Sequence, residues 1–372
     1  MGWTAPGTAS MCQIEVVKNF NRREPSVDEI TRIFIDTSKQ LFQLHGVNAA
    51  EAVVVRKVLR RSQLVVFFAK LAPTVIGLEA CGASHNWARV LRELGHEVKL
   101  IAPQHVKPYV KRNKNDGRDA EAGCEAMSRP TMEFVPVKSA EEQSGLMLIG
   151  VRDRLVRTRT QLTNAIRGHA AELGLIAARG LDKIEPLLAR IAEDESLPAL
   201  ARTLFALQAE EYVQLKARLE TLEAELAAWH RDSALSLRLA KIPSIGPLGA
   251  AMLALKTPDP KAFKSARHFA AWIGLTPKDH STAGKLRLGR ITRAGDEALR
   301  STLVVGATAV IQQVRAGRGK PSPWLVALLK RKPPKLAAVA LANKVARIAW
   351  RMMVTGQDYE PSRLLRPLAE AA

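Results

Sequence analysis

The chain has 372 residues and carries 56 Lys and Arg against 36 Asp and Glu, for a formal net charge of +20 and a pI near 10.2. That length predicts two or three domains, and the positive excess points to a polyanionic partner, DNA or RNA first and an anionic membrane surface second. No apolar run is long enough to span a bilayer, the scattered Cys12, Cys81 and Cys124 lack metal-ligand spacing and fit a reducing cytoplasm, and 5% aromatic content argues against a base-stacking platform.

Residues 1–30 carry no hydrophobic period and read as a poorly ordered lead-in, and MGWTAPGTAS lacks the charged-then-apolar pattern of a secretory leader. From Thr31 the pattern becomes α/β. Thr31–Asp36 is a β-rich run ending in a carboxylate, and Leu41–Val47 is its hairpin partner across TSKQ. Ser62–Phe68 reads as a strand or as the end of a preceding helix. Thr74–Leu78 is a buried strand running into Glu79. Ser84 is placed as N-cap of a helix His85–Leu94 closed by Gly95, and Glu97–Ile101 is the next strand. His105 to Met127 is mostly helical, interrupted by KRNKNDG.

Residues 140–238 read as almost wholly helical. Leu215, Leu219, Leu222, Leu226 and Trp229 recur at alternating spacings of four and three, the seam of a coiled coil or of packing within one subunit. Arg152, Arg154, Arg157, Arg159 and Arg167 make the earlier helix basic, either as a solvated face or as one that tracks phosphates. KIPSIGPLGA, with Ile245, Gly246 and Gly249, resembles a helix-hairpin-helix turn offering backbone N–H groups to a DNA phosphate.

An apolar run, Phe269–Leu275, leads through a Pro-containing turn into a loop holding His280, Ser281, Thr282, Gly284, Gly289 and Gly295. Lys278, Lys285, Arg287, Arg290 and Arg293 thread through it, and a helix is expected from about Asp296. Glycines admit a phosphate close to the backbone, guanidinium groups grip it, and a hydroxyl among them is a candidate nucleophile. Taken alone, the stretch reads first as a basic loop that grips nucleic acid.

Asp36 and Glu79 each close an apolar strand. Asp116 and Asp119 lie three apart on one helix face. Together they would supply hard oxygen donors of the kind Mg²⁺ takes alongside water and phosphate, an arrangement used in phosphodiester chemistry. Glu79 is the hardest to treat as a surface charge, since an acid directly after a buried strand is costly unless paired or used.

Five segments in order resemble one family: IDTSKQLFQLHGV, VIGLEACGASHNWARVLRELGHEVKLIAPQHVKPYVKRNKNDGRDAEA, RTQLTNAIRGHAAELGL, IPSIGPLGA and GLTPKDHSTAGKLRLGRITRAGDEALR. They resemble the DEDD insertion-sequence transposases, bacterial mobile-element recombinases of the IS110 family and its IS1111 branch, from about Ile33 to Met352. The resemblance implies a RuvC-like, RNase H-like α/β domain over 31–139, a helical coiled-coil region over 140–238, a mainly helical transposase domain over 239–356 and a tail over 357–372. It places the acidic tetrad on Asp36, Glu79, Asp116 and Asp119, binding Mg²⁺ (with Mn²⁺ as an alternative ion). It also implies a serine that attacks DNA to form a phosphoserine, the acidic site of another subunit nearby, a guide RNA encoded by the element, a dimer or tetramer, and a cytoplasmic, nucleoid-associated location. The nucleophile falls on Ser281 or Thr282. Ser281 is chosen because it is the loop's only serine and a less hindered alcohol. Ala283 stands where the family has glycine, Phe34 stands where a small residue is common, and residues 1–30 extend past the usual start.

These readings predict a transposase in which Lys285, Arg287, Arg290, Arg293, Arg157, Arg167 and the turn at Ile245, Gly246 and Gly249 contact nucleic acid. The alternatives are a metal-dependent junction nuclease using water and a non-catalytic nucleic-acid-binding protein.

Overall fold

Ile33, Phe34 and Ile35 are consecutive and each at most 1% exposed. Side chains alternate along a strand, so this strand, β1 (Arg32–Thr37), must be covered on both faces. The computed structural model describes residues 30–110, 116–282, 284–319 and 321–360. The lead-in over 1–29, most of KRNKNDG, Ala283 and the tail beyond 360 lie outside the described residues. The chain divides into two compact units at Val137 and Lys138.

In the first unit, β1 pairs antiparallel with β2 (Leu41–Val47), and β2 with β3 (Val53–Arg60). On its other side β1 pairs parallel with β4 (Val75–Glu79), which pairs parallel with β5 (Glu97–Ile101); a short β6 (Phe134–Val135) closes the edge antiparallel. The order β3-β2-β1-β4-β5-β6 is the mixed sheet expected of an RNase H-like domain. On one face Ile33 and Ile35 join Phe42, Leu44, Phe68 and Leu91. On the other, Phe34 joins Ile101, Ala120, Cys124 and Met127.

Two expectations need correcting. Ser62–Phe68 is neither a strand nor the end of a preceding helix: β3 comes first, and a 3₁₀ turn leads into the short helix α1 (Leu64–Phe68). Leu64 and Phe68, one turn apart, are fully buried while Val66 is exposed, a helical rather than an alternating pattern. Ser84 is not an N-cap but the first residue of α2 (Ser84–Glu93). Its hydroxyl donates to the Cys81 carbonyl at 2.9 Å, and Ala83 caps the helix with φ +70°. The helix α3 (Pro103–Val106) precedes α4 (Asp116–Ala126).

The second unit begins with a capping box, in which Ser139 and Glu142 bond reciprocally at the start of α5 (Ala140–Glu172). The helices α6 (Ile184–Glu193) and α7 (Ala199–Asp232) follow. Leu215 and Leu219 share a core with Leu155, Leu162 and Ile166 of α5. Leu215, Leu219 and Leu222 of the leucine seam therefore pack against α5 within one chain. Next come α8 (Ala234–Ala240), α9 (Pro247–Lys256) and α10 (Ala266–Trp272). A two-stranded hairpin, β7 (Pro277–Asp279) and β8 (Leu288–Ile291), leads to α11 (Glu297–Arg315), α12 (Pro323–Arg331) and α13 (Pro334–Thr355). These helices surround a core that includes Phe269, Leu299, Leu303, Ala342 and Ala346. Among the described residues no helix is long and apolar enough to cross a membrane.

Candidate active site

The first candidate centre lies at the strand ends of the N-terminal unit. Ile35 is paired with Leu78, so the next register position sets Asp36 beside Glu79 at the carboxyl ends of two parallel strands. Alternation puts Asp36 on the same face as Phe34, and Glu79 on the same face as Gly77. That face is covered by α4. A Cβ on Gly123 would fall 2.2–2.4 Å from three ring carbons of Phe34, and one on Gly77 would fall 2.6 Å from the same ring. Two glycines thus accommodate the large residue that sequence comparison marked as unusual at position 34. Arg32 Nε donates to the Cys124 carbonyl at 3.2 Å, so the C-terminal half of α4 lies over the start of β1. Asp116 and Asp119 lie in the first turn of α4.

Asp36, Glu79 and Asp119 are half-buried; the Asp116 side chain lies outside the described residues. The donor set is all carboxylate oxygen, which suits Mg²⁺ or Mn²⁺. Among the described residues, no three Asp, Glu, His or Cys side chains stand close enough together to hold a metal ion. The chemistry of the donors fits a divalent cation, while among the described residues no ligand cage is closed. Cys124 is buried on the α4 face, and burial pushes its thiol up to about 11.

The second centre is the β7–β8 hairpin. Its base is narrow. Gly274 (φ +77°) and Gly295 (φ +68°) cross so closely that a Cβ would meet the Ala294 carbonyl oxygen at 2.3 Å and the Trp272 carbonyl oxygen at 1.9 Å. Arg300, 8% exposed, donates through Nη1 to the carbonyls of Ile273 at 3.0 Å and Ala294 at 2.7 Å, locking the crossing. Asn343 of α13 donates to the Leu275 carbonyl at 3.2 Å. Asp296 caps α11 by accepting from the Leu299 N–H at 2.7 Å, so the helix begins where the sequence predicts.

Ser281 and Thr282 are both exposed at the hairpin's far end, but their surroundings differ. The Arg287 N–H donates to Ser281 Oγ at 3.0 Å, and the Ser281 N–H donates to Asp279 Oδ1 at 2.8 Å. Thr282 instead forms a bridge with Lys285 through its backbone. His280 packs against Gly289, where a Cβ would meet the ring at 3.1 Å. Lys285, Arg287, Arg290 and Arg293 are exposed along the hairpin and its exit, and Arg293 sits at φ +58°.

The remaining predicted contacts separate. Arg157 is exposed and lines an open groove of about 470 Å³ with Arg154, Thr158 and Lys256. Arg167 donates to the Gly180 carbonyl in the turn before α6. At the proposed helix-hairpin-helix turn, Ile245 is 6% exposed and Gly249 is buried against Ile245 and Thr302. Gly246, which caps α9, is exposed. Sequence reading missed Asp279 and Arg300. The one available signal for Arg300 was an arginine inside an otherwise apolar helical stripe with Leu299 and Leu303.

Comparison with known proteins bears directly on both centres. Residues 33–173 match a DEDD transposase model of IS110 type, and residues 236–320 match the Transposase IS116/IS110/IS902 family. A putative transposase of Sinorhizobium fredii is 63% identical over 94% of this chain and 90% of its own length. A probable family 20 transposase of Pseudomonas aeruginosa is 47% identical over 89% and 99%. The transposase for insertion sequence element IS1111A of Coxiella burnetii is 38% identical over 91% and 94%. A mixed sheet with acidic strand ends, a basic serine hairpin and matches of this kind define a transposase, a DNA-recombining enzyme. The chain belongs to the IS110 family of DEDD insertion-sequence transposases.

Proposed function

We propose that the protein cuts and rejoins DNA through a phosphoserine intermediate at Ser281. Asp36, Glu79, Asp116 and Asp119 would hold Mg²⁺ or Mn²⁺. A bound cation supplies Lewis-acid polarisation of a phosphate oxygen and stabilises a departing oxygen. The observation that carries the reading is the held hydroxyl: Ser281 Oγ is exposed, yet fixed by the Arg287 N–H at 3.0 Å. Orientation of this kind is what a nucleophile needs. In the forward step Ser281 Oγ bonds to phosphorus and a 3′-hydroxyl is released; rejoining runs the step backwards, so the bond energy is kept. Arg287, Arg290 and Arg293 neutralise charge developing on the phosphate and hold its neighbours. The DNA partner, an element-encoded guide RNA and a dimer or tetramer complete the reading.

The test is an adduct assay. Full-length protein is mixed with Mg²⁺, RNA flanking the element and end-labelled element-end DNA, then run on a denaturing gel. A labelled protein band that is lost in Ser281→Ala and kept in Thr282→Ala supports the reading. The reverse pattern moves the nucleophile to Thr282. Cut DNA without an adduct gives the chemistry to a water-using nuclease.

A further inference from the structure

The sheet end that holds Asp36 and Glu79 also holds a group of unneutralised cations. Asp36 pairs with Gln43 of β2, and Gln43 with Val58 of β3, so the three share one face of the sheet. Arg60, two residues past Val58, returns to that face, and its partner Leu41 lies one position beyond the Thr37–Phe42 pair that ends β1. It stands two strands across (~10 Å) and two residues along (~7 Å) from Asp36, about 12 Å in all. Arg61 follows, its guanidinium 5.1 Å from the ring centre of Trp87 in the first turn of α2. Lys39 lies in the β1–β2 turn, and the Arg61 N–H ties that turn down by donating to the Gln40 carbonyl at 2.9 Å. All three cations are exposed, and among the described residues none takes part in an ion pair. Arg56, two rows back on the Asp36 face, is by contrast 3.9 Å from Glu121, and Arg32 is paired with Glu51. A surface charged only for solubility intersperses both signs. Here three cations stand together beside the carboxylates.

We infer that Lys39, Arg60 and Arg61 grip the backbone of the DNA strand whose phosphate is set at Asp36 and Glu79. The inference rests on the reading of those carboxylates as part of the cutting centre. Carboxylates alone repel a phosphate backbone, so a strand led onto them needs cations alongside. The ~12 Å from Asp36 to Arg60 spans a few nucleotides at the ~3.4 Å rise of one strand. The grip therefore falls on the flank of the cut and not on the scissile phosphate. Arg60 offers its planar donor fork on the Asp36 face, and Arg61 offers a second from over Trp87, which belongs to the core of the opposite face. Contacts of this kind fix the position of the strand and read no bases. An RNA strand would offer the same phosphates, but the carboxylates beside these cations are assigned DNA to cut, and that favours DNA as the occupant.

The experiment measures binding of labelled element-end DNA by full-length protein with flanking RNA over a range of salt. Arg60→Gln and Arg61→Gln should each lower the slope of log affinity against log salt by about one. Lys57→Gln is the control. Lys57 is also an exposed cation of β3, but it lies over the Phe67 ring at 5.2 Å on the opposite face, and its variant should keep the wild-type slope. Arg61→Lys keeps the charge and should keep the slope, which separates a phosphate contact from packing on Trp87. Position is read with DNA carrying one uncharged methylphosphonate at successive linkages. The Arg60→Gln loss should disappear when the neutral linkage lies within about four nucleotides of the cut. Unchanged slopes in both Gln variants, an equal fall in Lys57→Gln, or cancellation only at distant linkages or at none would each overturn the assignment. So would weakened binding of the flanking RNA with the DNA slope intact, which would give these cations to RNA. Failure of the underlying reading looks different: Asp36→Asn and Glu79→Gln chains that still cut remove the centre, and with it the place assigned to this grip.

Discussion

Gly123→Ala tests whether α4 is set on the sheet by the Phe34 ring. A Cβ at position 123 would lie 2.2, 2.3 and 2.4 Å from Phe34 Cε1, Cζ and Cδ1, where ordinary contact begins at 3.4 Å. The shortfall is 3.4 − 2.2 = 1.2 Å. The ring has nowhere to retreat, because its other side rests on Gly77 and the residue is 1% exposed. The helix must therefore move outward. Overpacking of this kind costs ~1–3 kcal/mol, and the better helix propensity of Ala returns up to ~1 kcal/mol. The net expectation is destabilisation of about 1–2 kcal/mol, seen as a lowered thermal midpoint at ~4–8 °C per kcal/mol for a unit of this size. Because α4 carries Asp116 and Asp119, a shift near 1 Å should also cut strand cleavage by about 10²-fold. Phe34→Leu in the same chain should restore both, with a coupling above ~1 kcal/mol in a double-mutant cycle. If Gly123→Ala melts at or above the wild-type temperature and adds independently to Phe34→Leu, the ring does not set the helix and the reasoning fails.

Three further outcomes are expected. Arg300→Met should lower stability by about 2–3 kcal/mol and open the hairpin base to proteolysis between residues 274 and 295; unchanged cleavage kinetics would show that the glycine crossing holds alone. Replacing Arg287 or Arg290 with Gln should reduce the slope of log affinity for DNA against log salt by about one each, whereas an unchanged slope would take that side chain off the phosphates. Cys124 gives an alkaline signature. Its folded pKa, raised by burial to about 11 from 9.0, leaves stability untouched below pH 9. Between pH 9 and 11 the unfolded chain loses the proton first, so stability falls by at most about 2–3 kcal/mol. Cys124→Ala should flatten that part of the unfolding profile, and a profile identical to wild type would assign the alkaline loss to other groups.

How much of this could be read from the chain depended on how local the cause was. Leu41–Val47 lies between turn residues and has one apolar face, and the strand occupies those same residues. Asp36 and Glu79 stood out because an acid ending a buried run is a local anomaly, and the parallel pairing of Ile35 with Leu78 brings their positions side by side. Val53–Arg60 was illegible for the opposite reason. It is an edge strand with only Val55 and Leu59 buried, and its arginines and lysine erase the alternation. The hairpin shows the limit most clearly. Its glycines, hydroxyls and cations were visible as a reactive composition, but which hydroxyl is held depends on a donor six residues away and on a clamp from Arg300, 27 residues beyond Ile273. Asp279, set between Lys278 and His280, reads in one dimension as one charge among several. Only when Arg287 folds back across the hairpin does the Ser281 Oγ acquire its fixed N–H donor.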